Sequence, residues 1–144
     1  FNEWVELYNR TDGAINIKHW TITTSRGVQR INVNVSIPAR GYALLSHDND
    51  TWHFWGDPAG SKIVTVNLGD NPSLEWMLNG GDFVILKDDT GKVIDSMNYG
   101  SDRSQFDPSC PSVLAGESLE RKTLGLDTDT ASDWIKKILP TPGI

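Results

Sequence analysis

The chain contains few of the residues that mark a disulfide-stabilised or nucleic-acid-binding protein. It has a single cysteine, Cys110, among its 144 residues. An intramolecular disulfide is therefore impossible, and cysteine usage does not define the redox compartment. Lysine and arginine total 13 against 19 acidic residues, which gives a net charge of −6. This balance, with scattered basic residues, disfavours nucleic-acid binding, because such binding draws much of its affinity from basic patches.

Long apolar runs and long amphipathic repeats are also missing. No stretch approaches the roughly 18 apolar residues that cross a bilayer, so we expect no membrane-spanning segment. No long stretch follows the 3.6-residue period of an amphipathic helix. The chain starts within strand-like residues and stops just after the proline-rich residues 140–143. We expect residues 1–144 to be one domain, excised from a longer multidomain protein.

Known catalytic motifs are absent from the sequence. It contains no G-x-S-x-G, H-E-x-x-H, P-loop or G-x-G-x-x-G pattern. His47 and His53 flank two aspartates and could compose a metal site, but a solvated polar loop explains them better because six is not a usual ligand spacing. Cys110 has no accompanying Cys–His pattern and is predicted to be a bystander. We therefore predict no enzyme, no cofactor and no metal site; a small metal-dependent hydrolase is the third-ranked hypothesis.

The chain instead offers many short runs with alternating apolar and polar residues, separated by turn formers. Such runs at a spacing of about 8–12 residues indicate a β-sandwich or barrel. One run, residues 29–37, is predicted as a single strand with Ile31, Val33, Val35 and Ile37 on its inner face. Residues 134–139 are predicted to form one helical turn. The other predicted strands are residues 4–8, 15–22, 42–46, 63–68, 83–87, 92–99 and 118–122.

The clearest unit is the hairpin of residues 78–99, which turns at Asp88-Asp89-Thr90-Gly91. Side chains two apart share a strand face, so Asp95 lies in line with Val93, Met97 and Tyr99. A carboxylate on an apolar face needs strong partners. We therefore expect Asp95 to be structural, either accepting bonds from backbone N–H groups or pairing with Arg121.

Several phrases follow one another along the chain: EWVELYN (3–9), HWTI (19–22), GYALLS (41–46), NGGD (79–82) with its hairpin through DS (95–96) and YG (99–100), GESLER (116–121) and TPG (141–143). In this order they resemble the lamin tail domain family. The resemblance implies an all-β, immunoglobulin-like antiparallel β-sandwich without catalytic activity. Such domains occur in nuclear lamins, where they bind partner proteins, and in prokaryotic multidomain proteins, often secreted or surface-attached, beside nucleases or other hydrolases. The chain departs from the family in a first strand reduced to Phe1-Asn2 and in a longer insert around Trp52.

The insert of residues 47–61 concentrates aromatic residues in a polar, Gly- and Pro-punctuated stretch. Trp52, Phe54 and Trp55 either fold back to roof the sandwich or form a binding platform, since exposed rings stack on sugars or anchor a partner protein. They are the predicted ligand- or partner-binding residues. The other tryptophans are assigned to the core: Trp4, Trp20, Trp76 and Trp134.

The acidic stretch near the end of the chain has two readings. Asp127, Asp129 and Asp133 present carboxylates in the alternating manner of a calcium loop, but the glycine and the closing glutamate of an EF-hand are missing. The preferred interpretation is a cap, in which Ser132 or Asp133 begins the last helical turn.

These observations together predict a non-catalytic binding or adhesion module within a larger, exported protein. Its expected location is extracellular or on the surface of a prokaryotic cell, and its expected partner is an unidentified protein or glycan. The alternative is a carbohydrate-binding module attached to a hydrolase.

Overall fold

The computed structural model describes residues 2–69 and 77–144, and nearly all of its regular elements are strands. The predicted all-β class is thus confirmed. Trp76, assigned above to the core, lies outside the described residues. Within these ranges there are eleven strands and one short α-helix: β1 (Trp4–Tyr8), β2 (Ile15–Asn16), β3 (Thr21–Thr24), β4 (Gly27–Arg30), β5 (Ser36–Ile37), β6 (Tyr42–Ser46), α1 (Asp50–Trp55), β7 (Ile63–Asn67), β8 (Gly81–Lys87), β9 (Val93–Gly100), β10 (Ser118–Arg121) and β11 (Trp134–Lys137).

Two sheets form the body of the domain. One has three strands in the order β1-β6-β7, and the other has four in the order β4-β3-β8-β9. Neighbouring strands are antiparallel except β6 and β7, which run parallel. The short pairs β2-β5 and β10-β11 complete the described strands.

The apolar core draws on both sheets and on the segments that connect them. Every second side chain of β1 contributes, because Val5 and Leu7 pack against the core, which leaves Trp4, Glu6 and Tyr8 on the opposite face. The buried core residues are Ile17, Ile22, Ile31, Ile37, Ala43, Leu45, Val66 and Leu86.

The prediction of one continuous strand over residues 29–37 is wrong. Residues up to Arg30 belong to β4 and pair with β3, whereas Ser36 and Ile37 form β5 and pair with β2. The chain therefore changes its pairing partner from β3 to β2 between Arg30 and Ser36. Val33 lies in the connecting segment and is 46% exposed. The run of residues 15–22 divides in the same way, around His19 at a positive φ of 71°. Alternation alone does not reveal where a chain changes its pairing partner.

One further prediction is corrected near the end of the chain, and the insert contains an element for which no prediction was made. The insert contains the helix α1, which the sequence did not predict. Residues 134–137 are not a helical turn but strand β11, which pairs with β10. On the hairpin, Tyr99 is buried as expected, but Val93 is 51% exposed, because the apolar face of β9 extends beyond the part of the strand that is covered.

Candidate binding site

Asp95 and Arg121 meet at the centre of a charged cluster. Asp95 lies on β9 and Arg121 at the end of β10, and Nη2 of the arginine donates to both carboxylate oxygens at 2.9 Å. The structure thus shows the pairing with Arg121, one of the two possibilities given for Asp95. Burial raises the pKa of Asp95, and the charge of Arg121 opposes that shift. That the pair stabilises the fold stays a prediction.

The same guanidinium binds two more carboxylates and an aromatic ring. Nη1 of Arg121 donates to Asp127 at 2.8 Å and to Asp133 at 3.2 Å. The guanidinium carbon lies 4.3 Å from the ring centroid of Trp134, a cation–π geometry. Three carboxylates and one indole therefore share a single cation, which ties β9, β10 and β11 together.

This arrangement corrects both readings of the acidic stretch. Asp133 does not cap a helical turn, because the strand β11 follows it. Its carboxylate instead accepts from the Thr128 N–H at 2.6 Å and the Thr128 hydroxyl at 2.8 Å, and these bonds lower its pKa. Two of the three aspartates proposed for calcium, Asp127 and Asp133, bind Arg121 rather than standing open to an ion.

The aromatic insert is divided between core and surface. Trp52 is only 4% exposed and lies 6.2 Å from Trp4 between ring centroids, so it roofs the outer face of β1. Trp55 is half-buried against Trp4, and its Nε1–H donates to the Asn2 carbonyl at 2.8 Å. Phe54 is 65% exposed. Of the predicted binding residues, Phe54 and part of Trp55 are the ones on the surface.

The two histidines considered as metal ligands have separate partners. His53 forms an exposed pair with Asp57 at 2.8 Å, and that bond and the charge of Asp57 raise the pKa of His53. His47 lies 3.1 Å from the Gly69 carbonyl. No group of three or more His, Cys, Asp or Glu suited to a metal ion occurs within residues 2–69 and 77–144.

Glu6 is a candidate site residue that sequence reasoning missed. It lies on the outer face of β1, where burial raises its pKa to about 7 and the nearby Glu120 adds to the shift. Its carboxylate accepts from the Gly143 N–H at 2.6 Å. In the sequence, Glu6 alternates with Trp4 and Tyr8 on one strand face and would be predicted to face solvent. Its burial becomes apparent only in the structure, where residues 141–143 return over β1.

Three buried polar residues that were not singled out hold the loops of the sandwich. Asn9 donates to the carbonyls of residues 13, 37 and 38, and Asn98 to those of residues 102 and 106. The Asp82 carboxylate accepts from three backbone N–H groups, those of residues 25, 78 and 83. All three residues lie within or beside the family phrases quoted above. That position is the signal from which the sequence could have indicated their structural role.

A large open cleft adjoins these features. Its volume is about 1010 Å³, and it is lined by β1, by residues 94–97 of β9 and by the segment 113–122. Glu6, Glu120 and the Asp95–Arg121 pair all border it, as do Phe54 and Trp55. A smaller cleft of about 480 Å³ lies between Trp55 and residues 140–144.

In the part of the chain that the structure describes, no helix is both long and apolar enough to span a membrane.

Two layers of short strands around one core, with loops held by buried amides and carboxylates, define an immunoglobulin-like β-sandwich of the kind used as an interaction module. The family model for the Lamin Tail Domain matches residues 1–101. The chain belongs to the lamin tail domain family, whose members are in general non-enzymatic modules. The GESLER and TPG phrases lie beyond the matched residues. No curated protein matches the chain.

Proposed function

We propose that the chain is a non-catalytic interaction module of a larger, exported protein, and that it contacts a partner protein through Phe54 and the adjoining part of Trp55. The observation that carries the proposal is the exposure of Phe54, an apolar ring that is 65% accessible on a folded element. Large exposed apolar groups on a rigid support are typical of interfaces.

The support beneath Phe54 is well ordered by contacts. The Phe54 and Trp55 rings meet edge to face, with centroids 5.1 Å apart. Trp55 is in turn fixed by its bond to the Asn2 carbonyl and by its contact with Trp4. A ring held in place before binding loses little conformational freedom on contact, which favours its use as an anchor.

The burial of Trp52 favours a protein partner over a glycan. A sugar-binding platform stacks the ligand on open ring faces, and Trp52 offers none because it is covered. The exported setting is supported by the family resemblance to secreted and surface-attached proteins. Fractionation of cells that produce the complete protein tests that setting separately.

The experiment compares Phe54→Ala with Val28→Ala, a truncation at another exposed apolar residue, 56% accessible on β4. Each variant is used to capture proteins from extracts of the source organism and is applied to a glycan array. We expect Phe54→Ala to melt like the parent and to lose a protein partner that Val28→Ala retains. Unchanged capture by Phe54→Ala, or glycan binding that requires Phe54, would contradict the proposal.

A further inference from the structure

Asn79 and Gly80 form the central part of an exposed turn that leads into β8. The Gly81 N–H donates to the Leu78 carbonyl at 3.0 Å, and this bond closes a β-turn. Both central residues are exposed to solvent. Asn79 is also the only asparagine in the sequence that a glycine follows. The turn therefore presents an asparagine amide beside the least hindered backbone nitrogen that a following residue can offer.

The reacting atoms of this pair have no competing partners. The turn is closed by the N–H of Gly81 and not by that of Gly80. Within residues 2–69 and 77–144, no group accepts from the Gly80 N–H, and the Asn79 side chain forms no hydrogen bond or ion pair. A Cβ built on Gly80 would meet no atom within 4 Å. The turn therefore has room to bring the Gly80 nitrogen up to the side-chain carbonyl carbon of Asn79.

We propose that Asn79 is a modification site, at which the chain deamidates without an enzyme. The Gly80 nitrogen loses its proton to water or hydroxide and bonds to Cγ of Asn79. The Cγ–Nδ2 bond breaks, and the amide nitrogen leaves as ammonia. The product is a cyclic succinimide that spans the two residues. The inference goes beyond the proposed interaction and does not depend on the Phe54 surface.

Water then opens the succinimide at either of its two carbonyl carbons. Hydrolysis at Cγ restores the original main chain and leaves an aspartate at position 79. Hydrolysis at the main-chain carbonyl carbon leaves an isoaspartate, in which the main chain runs through the former side chain. No group is oxidised or reduced, water is the only co-reactant, and both products carry one additional negative charge.

The isoaspartate product should loosen the start of β8. The turn packs closely on the end of β9, because the Gly80 carbonyl accepts from the Ser101 N–H at 3.1 Å and a Cβ added to Gly100 would collide with that carbonyl. The isoaspartyl linkage lengthens the main chain between residues 79 and 80 by one carbon. Because the carbonyl is held against β9, we expect the extra atom to displace it and to break the bond to Ser101.

Two other asparagines provide internal comparisons. Asn49 is exposed, and its side chain makes no capping bond to α1. It is followed by Asp50, whose side chain hinders the backbone nitrogen and whose negative charge opposes loss of the N–H proton. Asn98 is completely buried, and its amide donates to the carbonyls of residues 102 and 106. We expect both asparagines to remain intact while Asn79 is converted.

The experiment follows the intact, purified chain in mildly alkaline buffer made with heavy-oxygen water. Digestion in acid then limits further reaction, and peptide mass spectrometry locates each modified residue. We expect one heavy oxygen to enter the peptide that contains Asn79, with isoaspartate as the main product. Conversion should be about tenfold or more faster there than at Asn49. Hydrogen exchange of the aged chain should show lost protection at Ser101.

Gly80→Ala is the variant that tests the cause. Gly80 does not have a positive φ and has space for a Cβ, so the fold should tolerate alanine. Because the added methyl group hinders the nitrogen, conversion at Asn79 should slow about tenfold or more while the melting temperature stays parental. An unchanged rate in Gly80→Ala, or equal rates at Asn79 and Asn49 in the parent, would overturn the proposal. So would conversion in the digested peptide but not in the intact chain, because the turn would then hold the two atoms apart. Isoaspartate formed with full protection of Ser101 would overturn the expected loosening of β8.

Discussion

The sandwich of residues 2–101 and the segment of residues 102–144 are stabilised in different ways. In the sandwich, Ile22, Leu45 and Val66 are almost completely buried. In the later segment, Leu114, Ile138 and Leu139 are largely exposed, while the buried Asp133 and the nearly buried Arg121 form its best-connected cluster. We therefore expect the stability of the first region to depend mainly on apolar burial and that of the second on the shared cation. The family match ends at this change, and the open cleft lies where the two regions meet.

The largest expected effect is in the core of the sandwich. Leu45→Ala removes a side chain that is 1% exposed on the central strand β6. It should lower the free energy of unfolding by about 2–5 kcal/mol, because the lost contacts leave a cavity. Denaturant unfolding measures the change, and Leu139→Ala, at an 82% exposed position, is the control. Equal losses in the two variants would contradict the assignment of the core.

Arg121→Ala should destabilise the later segment by a comparable or slightly smaller amount, about 2–4 kcal/mol. It leaves the Asp95, Asp127 and Asp133 carboxylates facing one another without a cation. Hydrogen exchange should show lost protection in β10 and β11 with little change in β6. Uniform loss throughout the protein would mean that the two regions unfold as one unit.

Asp95→Ala tests the same cluster from its more exposed member. The Asp95 side chain is 40% exposed, and Arg121 keeps its two other carboxylates in this variant. We therefore expect a smaller loss, about 1–2 kcal/mol, measured by thermal or denaturant unfolding. Parental stability together with a lost binding activity would make Asp95 a functional residue.

Glu6 lies where the two regions meet, and its titration should make the stability of the protein depend on pH. Burial raises the pKa of Glu6 from the ordinary 4.5 to about 7. Between pH 4.5 and 7 the folded chain therefore holds a proton on Glu6 that the unfolded chain has released. The free energy of unfolding should therefore fall as pH rises from 4.5 to 7, by up to about 3 kcal/mol from this group.

Glu6→Gln removes this contribution while keeping an acceptor for the Gly143 N–H. Its stability should vary less between pH 4.5 and 8, and at pH 8 it should exceed that of the parent. Denaturant unfolding across this range checks both points. A parallel pH profile in the two proteins would show that Glu6 does not titrate as its surroundings indicate.

Most strands of the sandwich could be predicted because their signal is local. Alternation in residues 4–8 and the Asp-Gly turn of the hairpin specify β1, β8 and β9 without reference to the rest of the chain. Asp95 could be singled out in the same way, since a carboxylate among apolar neighbours needs a partner. The changes of pairing after Arg30 and before Thr21 could not, because they depend on which strands lie nearby.

The candidate site was harder to predict because its members come from distant segments. Trp52 and Phe54 are two residues apart in a short helix, and only the packing on Trp4 separates the buried ring from the exposed one. The burial of Glu6 depends on Gly143, at the other end of the chain. Residues 134–137 resemble a helical turn in isolation and become a strand through pairing with β10.

Residue-resolved hydrogen exchange of the parent protein tests most directly whether β1 is an open edge. The amides of Val5 and Leu7 bond to β6 and should be protected, whereas those of Glu6 and Tyr8 face the cleft. We predict exchange about a hundredfold or more faster at Glu6 and Tyr8 than at Val5 and Leu7. Equal protection at all four amides in the free protein would show that the edge is already paired and would contradict the account.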